Sequence, residues 1–330
     1  MSATDLMDKL HALGASLTLE GDRLKLRAAK GSLPASLLEA VKAGKSELTE
    51  FLQLQQGEEF PLSFGQQQLW FLDQLTPGNP MYNNPLALNI TGPLDSAALA
   101  QAFDLVLHRH SVLRTIFPFQ GAEPRQRVLL KAPGGLEFID LEDLDAAAQS
   151  NAVTEHAATE ARRGFDLSCE LPIRARLLCC SPERHVLLIT VHHICADGWS
   201  IGILMEDLFQ AYAALSKGQA PSLAPLPWQY SDYAAFQRRN LSPQDLAKQL
   251  SYWTQELRDA PTNLSLPTDF PRPAEQSFAG AHLRHPLSGP AARAADALAQ
   301  RLGVSVFGVF LTAHALVMSR FAGQSDICTG

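Results

Sequence analysis

The apolar positions of this chain change period along its length, and each change marks an element. In TDLMDKLHALG, Leu6, Leu10 and Leu13 recur at helical spacing, with Ser2 or Thr4 as the N-cap and Gly14 as the stop. SLTLEGDRLKLR then alternates. Leu17, Leu19, Leu24 and Leu26 share one face, Thr18, Lys25 and Arg27 take the other, and Gly21-Asp22 between the two runs signals a hairpin. PASLLEAVKAGKSELTEFLQLQ returns to the helical period, with Pro34 in a first-turn position after Ser32. Residues 1–55 therefore read as a small α+β unit with one thin core and one exposed strand edge. QQGEEFP follows as a polar stretch, and residues 56–60 are assigned to a linker.

Beyond Pro61 the pattern is that of a larger α/β body. DSAALAQAFDLVLHRHSVLRTIF predicts a long amphipathic helix starting near Asp95 and running into a strand-like segment. RHVLLITVHH is almost continuously apolar, as a strand buried on both faces would be. SIGILMEDLFQAYAAL is the next helix. KGQAPSLAPLP and PTNLSLPTDFPRPAEQSFAG read as loops, because proline and glycine punctuate them. AHLRHPLS is a strand candidate, AARAADALAQRLG and VFGVFLTAHALVMSRFAG are helices, and SDICTG looks like the start of a strand. Residues 61–240 and 241–330 are taken as two lobes.

Composition narrows the class. A chain of 330 residues with 46% hydrophobic content can bury a sizeable core. A net charge of −7 argues against binding a phosphate backbone, which needs a basic face. No apolar run reaches the roughly 18 residues that span a bilayer, and the N-terminus lacks a signal-peptide pattern. Cys169, Cys179, Cys180, Cys195 and Cys328 are odd in number and irregularly spaced, so they read as reduced thiols in a cytoplasmic protein.

The chemistry concentrates in VHHICADGWS, Val191 to Ser200, where an apolar run ends on two histidines. Neighbours on a strand point to opposite faces, so His192 and His193 are poorly placed to share one metal ion, and a metal-free polar site is expected. One ring should face the core and the other the open side, where it can exchange a proton near neutral pH. Trp199 and Ser200 begin the following helix. Asp197 either orients the histidine or pairs with an arginine, and the pairing is preferred. Cys195 reads as a small buried residue rather than a nucleophile.

These residues match HHxxxDG, the hallmark of the condensation domains of nonribosomal peptide synthetases. Three further stretches carry the same resemblance in order. LSFGQQQLWFLDQL resembles S-x-A-Q-x-R-L-W-x-L, RHSVLRTIF resembles R-H-x-x-L-R-T-x-F, and YSDYAAFQ resembles Y-x-D-Y-A-x-W. YWTQEL and LPTDFPRPAEQSFAGA are also typical, and the first motif with HHICADGWS is closest to the subclass taking an L-configured donor. Gly65, Gln68, Ser111 and Phe236 depart from the usual alanine, arginine, glutamate and tryptophan, and a family salt bridge at Gln68 is expected to be missing. The N-terminal unit is similar to the docking domains named after the tubulysin pathway.

The resemblance implies a chloramphenicol-acetyltransferase-like, two-lobed V, with the second lobe incomplete at Gly330. It implies amide formation between an upstream carrier-bound acyl or peptidyl thioester and a downstream carrier-bound aminoacyl thioester. His193 takes the catalytic role, as base or as positioner of the amine, with His192 in support. The Gly198 N–H is a candidate oxyanion donor. Asp197 pairs with Arg109, or less readily with Arg114. The hairpin, through Arg23, Lys25 and Arg27, would capture an acidic C-terminal tail of the preceding synthetase protein. The 4'-phosphopantetheine arm comes with the carrier proteins, so no cofactor is expected to be bound by this segment. A condensation-like body that only recruits partners is the alternative.

Overall fold

The computed structural model describes residues 3–20, 23–28, 33–119, 123–132, 135–271, 273–274, 283 and 285–329. The candidate cap Ser2, Ser32 and the Gly21-Asp22 turn lie outside those residues. The chain divides into two compact units, Met1–Asn240 and Leu241–Gly330.

The first unit opens with α1 (Ala3–Ala12), the hairpin strands β1 (Ser16–Glu20) and β2 (Arg23–Arg27), then α2 (Ala35–Ala43) and α3 (Lys45–Gln55). Leu17 lies opposite Leu26 and Leu19 opposite Leu24 across the hairpin. Leu6, Leu10, Leu17, Leu48 and their neighbours bury a core of their own. The helical run after Pro34 is two helices, because the chain turns at Gly44 against Leu6 and Leu48.

A larger body follows, with β3 (Gly57–Pro61), α4 (Phe64–Leu75), β4 (Asn83–Thr91), α5 (Ser96–Arg109), β5 (Thr115–Ile116) and β6 (Arg125–Leu129). It continues through β7 (Leu136–Asp140), α6 (Ala146–Arg162), β8 (Ile173–Ser181), β9 (Arg184–His192), α7 (Gly198–Leu215) and α8 (Tyr230–Asn240). One sheet runs β4-β9-β8-β7, antiparallel except where β7 and β8 flank the α6 crossover in parallel. β9 is buried on both faces. Leu187, Ile189 and Val191 join the main core with residues of α5 and α7, while Val186 and Leu188 pack with Leu178 against α6. That is why its sequence is nearly unbroken in apolar residues.

Residues 56–60 are not a linker. Residues 57–61 form β3, paired antiparallel with β6, because β6 has an edge to fill and a buried Arg127 whose guanidinium meets Glu59 at 2.6 Å. The polar look of GEEFP reflects a half-exposed edge strand.

The second unit contains α9 (Pro243–Glu256), α10 (Gly289–Leu302) and α11 (Val306–Ala322). Leu283 and residues 285–288 form no strand, and the rest of that candidate lies outside the described residues. Residues 325–329 form none either. No single helix among the described residues is long and apolar enough to cross a membrane.

A side chain at Gly57 would put its Cβ 2.5 Å from the Val128 carbonyl oxygen, so β3 could not keep its register. Gly57→Ala is expected to cost about 1–3 kcal/mol by overpacking, read as a lowered midpoint in denaturant unfolding.

Candidate active site

The site is built at the end of β9, where a buried strand has to return to solvent and start a helix. His192 is its last residue and is 2% exposed. Its ring centroid lies 6.2 Å from that of Tyr82 and 5.8 Å from that of Phe165, the latter pair T-shaped. The Ile194 N–H donates to His192 Nδ1 at 3.1 Å, so Nδ1 is the unprotonated nitrogen. Burial first, then His193 and Arg174, push the His192 pKa from 6.5 down to about 4, and the ring is neutral at physiological pH.

His193 turns the other way. Its main-chain N–H donates to the Tyr82 carbonyl at 2.8 Å, and the residue is exposed. Its Nδ1 lies 2.9 Å from the Ala196 carbonyl oxygen. A carbonyl can only accept, so Nδ1 carries the proton and Nε2 of the neutral ring is left with a free lone pair. The two histidines are opposite tautomers, each set by main chain of the same short turn.

Asp197 is the N-cap of α7. Its Oδ1 accepts from the Ser200 N–H at 2.8 Å and the Ser200 hydroxyl at 2.6 Å, which holds its pKa below the usual carboxylate value. The expected pairing of Asp197 with Arg109 or Arg114 is therefore not made. The turn is so short that the carboxylate is used within it. Arg109 instead meets Asp207 on α7 at 2.8 Å, and His110 Nε2 reaches the same oxygen at 2.7 Å. Arg114 donates to the Leu129 carbonyl, and burial lowers its pKa. Asp207 escapes the sequence reading, although it leaves a sign. It sits on the buried stripe of α7 with Leu204, Leu208 and Ala211, where an acid requires a partner.

His192, His193, Asp197, Gly198, Trp199 and Ser200 thus share one turn. Trp199 is 82% exposed, and a Cβ built on Gly198 would meet nothing within 4 Å, so the turn faces open space. An apolar cavity of about 370 Å³ adjoins it, lined by Cys195, Ala196, Ile203, Leu204, Trp228 and Tyr233. Cys195 is buried, its Sγ lies 3.2 Å from the His192 carbonyl, and burial pushes its thiol pKa far up, which disfavours a thiolate. Among the described residues, no group of three or more His, Cys, Asp or Glu could hold a metal ion.

Much of the remaining motif sequence is scaffold. Ser63 and Gln66 form a capping box at the start of α4, Ser63 Oγ lies 3.0 Å from the Tyr230 hydroxyl, and Arg238 donates to the Leu62 carbonyl at 2.7 Å. Arg23, Lys25 and Arg27 lie elsewhere, exposed on β2, which has β1 on one side and no strand on the other among the described residues.

Known proteins resemble this chain in sequence and fold. Residues 56–330 match the family model described as Condensation domain, and residues 4–54 match that of the TubC N-terminal docking domain. Malpinin synthetase of Mortierella alpina is 35% identical over 328 residues, covering 99% of this chain and 4% of that protein. Phosphinothricin tripeptide synthetase PhsC of Streptomyces viridochromogenes is 40% identical over 270 residues, covering 82% of this chain and 25% of that protein. The chain thus spans a small part of these relatives. Among solved structures, the complex of the X-domain and OxyB from teicoplanin biosynthesis aligns with TM-score 0.68 and 31% identity, over 81% of this chain and 58% of that one. A structure showing condensation domain-mediated chain release from the enacyloxin polyketide synthase shares the fold over 98% of this chain and 65% of its own, with TM-score 0.61 and 23% identity.

Two stability measurements check this site. With its folded pKa depressed, His192 contributes stability that is complete above pH 6.5 and is lost as pH falls towards about 4. The loss is about 3 kcal/mol, and His192→Phe is expected to flatten that part of the stability–pH curve. Asp197→Ala should cost about 1 kcal/mol as a lost cap, whereas Asp207→Ala should cost about 1.5–3 kcal/mol by stranding Arg109 and His110. Urea titrations of the two variants distinguish the roles.

Proposed function

The chain belongs to the condensation-domain family, with a TubC-type docking domain at its front, and on that premise we propose that it forms an amide between two carrier-bound substrates. The observation that carries the reading is the commitment of His193 Nδ1 to the Ala196 carbonyl, which leaves Nε2 as a proton acceptor at an open turn. A thioester is an activated acyl group and a free amine is already nucleophilic, so orientation supplies much of the rate. The amine nitrogen attacks the donor carbonyl carbon, the C–N bond forms, and the C–S bond breaks with the thiolate leaving on the donor carrier. His193 Nε2 takes the surplus proton from nitrogen and passes it towards the departing sulfur.

The Gly198 N–H, at the first position of α7, is the proposed donor to the developing oxyanion. Open space beside Gly198 and the positive end of an 18-residue helix support that role. The 4'-phosphopantetheine arms arrive on the carriers as part of the substrates and are not resident in this chain. The docking hairpin selects the upstream partner. Its β2 edge, with Arg23, Lys25 and Arg27 exposed, suits addition of an acidic strand from the tail of the preceding synthetase protein. A cytoplasmic location goes with carrier partners of this kind.

A recruitment role is the second reading, favoured by the 31% identity to an X-domain solved with OxyB. Transfer from loaded donor to loaded acceptor carrier, read by intact mass, separates the two. Wild type is expected to give amide product and His193→Ala about 10²–10⁴-fold less, with residual product from orientation alone. Absence of product from wild type with carriers that bind it would favour recruitment. Reversing the charges at Arg23, Lys25 and Arg27 should abolish transfer from a donor carrier bearing its native tail and spare transfer from one supplied in excess without the tail. Equal loss with both donors would remove the docking role.

A further inference from the structure

The histidine pair is held from behind by a strap that no motif contains. Arg163, Gly164 and Phe165 run from the end of α6 towards β8. The Arg163 carbonyl accepts from Asn83 Nδ2 at 2.9 Å and from Arg174 Nη2 at 2.6 Å, and the Gly164 carbonyl accepts from Arg174 Nη1 at 3.1 Å. Gly164 lies so close to the segment before Tyr82 that a Cβ there would stand 2.0 Å from the Gly78 carbonyl oxygen. Phe165 is 2% exposed and meets the His192 ring edge to face at 83°.

Arg174 is the member that touches every part. It sits on β8, next to the strand that carries His192, and its guanidinium carbon stacks 3.7 Å from the Phe165 ring centroid. The buried Glu160 of α6 anchors it by an ion pair, and Glu170 adds a longer one at 3.5 Å. The other wall of the histidine site is the Gly78–Asn83 segment. Tyr82 covers His192 with its ring and accepts the His193 N–H with its carbonyl, while Asn83 lies opposite His192 across β4 and β9 and donates to the strap.

We propose that Arg174 is a positioning residue for the histidine pair: it fixes the Arg163–Phe165 strap beneath His192 and thereby holds the turn that aims His193 Nε2. The charged and titratable groups around His192 agree with the assignment. Arg174 on β8 and His193 beside it both disfavour a proton on the ring, the Cys195 thiol lies against its carbonyl, and the rings of Tyr82 and Phe165 pack near it. A neutral His192 keeps Nδ1 free to accept from the Ile194 N–H, the first hydrogen bond of the turn that ends at the Ala196 carbonyl.

The effect on transfer rests on the reading of His193 as proton acceptor, but the imidazole geometry is measurable without it. The test compares wild type, Arg174→Lys, Phe165→Leu and the double variant Arg174→Met with Glu160→Gln, which leaves no buried carboxylate stranded. Arg176, which also reaches Glu160, keeps its bond to Glu137 in that variant. Nitrogen-15 spectra of histidine-labelled complete protein report which ring nitrogen carries the proton in His192 and His193. Wild type should show opposite tautomers. The double variant should retain a cooperative melt and show averaged tautomers at both rings. Its turnover at saturating acceptor should fall about 10–100-fold with acceptor KM changed less than about twofold, the signature of a misaimed group. Arg174→Lys keeps the charge but not the fork and should recover only part of the rate. Phe165→Leu should reproduce the tautomer averaging, and it decides the matter by the same criteria if the double variant fails to fold. Unchanged imidazole signals would overturn the proposal whatever the rate, as would averaged signals with wild-type turnover. Absence of amide product from wild type would instead sink the transfer reading, leaving the spectra to judge Arg174.

Discussion

A strand buried on both faces cannot end in water without its last polar groups being met, and that requirement shapes this protein. β9 runs through the middle of the main sheet with apolar neighbours above and below, then stops at His192. Within five residues the chain must satisfy the exposed main chain, reverse and start α7. It does so with local partners. Tyr82 takes the His193 N–H, His192 takes the Ile194 N–H, Ala196 takes the His193 ring, and Asp197 caps the helix. These bonds engage Nδ1 of both rings and leave His193 on the exposed side of the turn.

The same economy explains the motifs that flank it. Ser63, Gln66 and Tyr230 meet at the start of α4, and Arg109 and His110 converge on Asp207 from the far end of α5. Gln229 bonds both the Arg109 carbonyl and the Ser111 N–H, so the segment before α8 is tied to the same corner. These residues brace the elements that carry the turn, and His110, Gln229 and Tyr230 line the cavity beside it. A charged side chain in such a place stays because its partner is buried with it, and losing either one strands the other.

The elements with strong periodicity are legible in the sequence. The hairpin and the helix from Asp95 follow from the spacing of their apolar residues, and the buried strand ending at the histidines from a short run rich in β-branched residues. Edge strands are not. GEEFP shows no apolar run because half of it faces outwards, and its strand character comes from β6, which lies about seventy positions away in the register Gly57 to Leu129. Asp197 misleads for a related reason. Its partner is the Ser200 three residues on, and a local cap uses up the carboxylate that a distant arginine would otherwise have claimed.

Taken alone, the sequence determined the family and the opposite facing of two adjacent histidines at the strand's end, since alternation along a strand forces one ring inwards. Tertiary structure decided the rest. It chose which nitrogen of each ring holds the proton, gave Arg109 to Asp207, made a strand of residues 57–61, and put Phe165 and Arg174 behind His192. The distinction is physical. Periodicity and capping act over one or two turns of chain, whereas a buried charge or an unpaired strand edge is satisfied by whatever group folding brings near, at any distance in sequence.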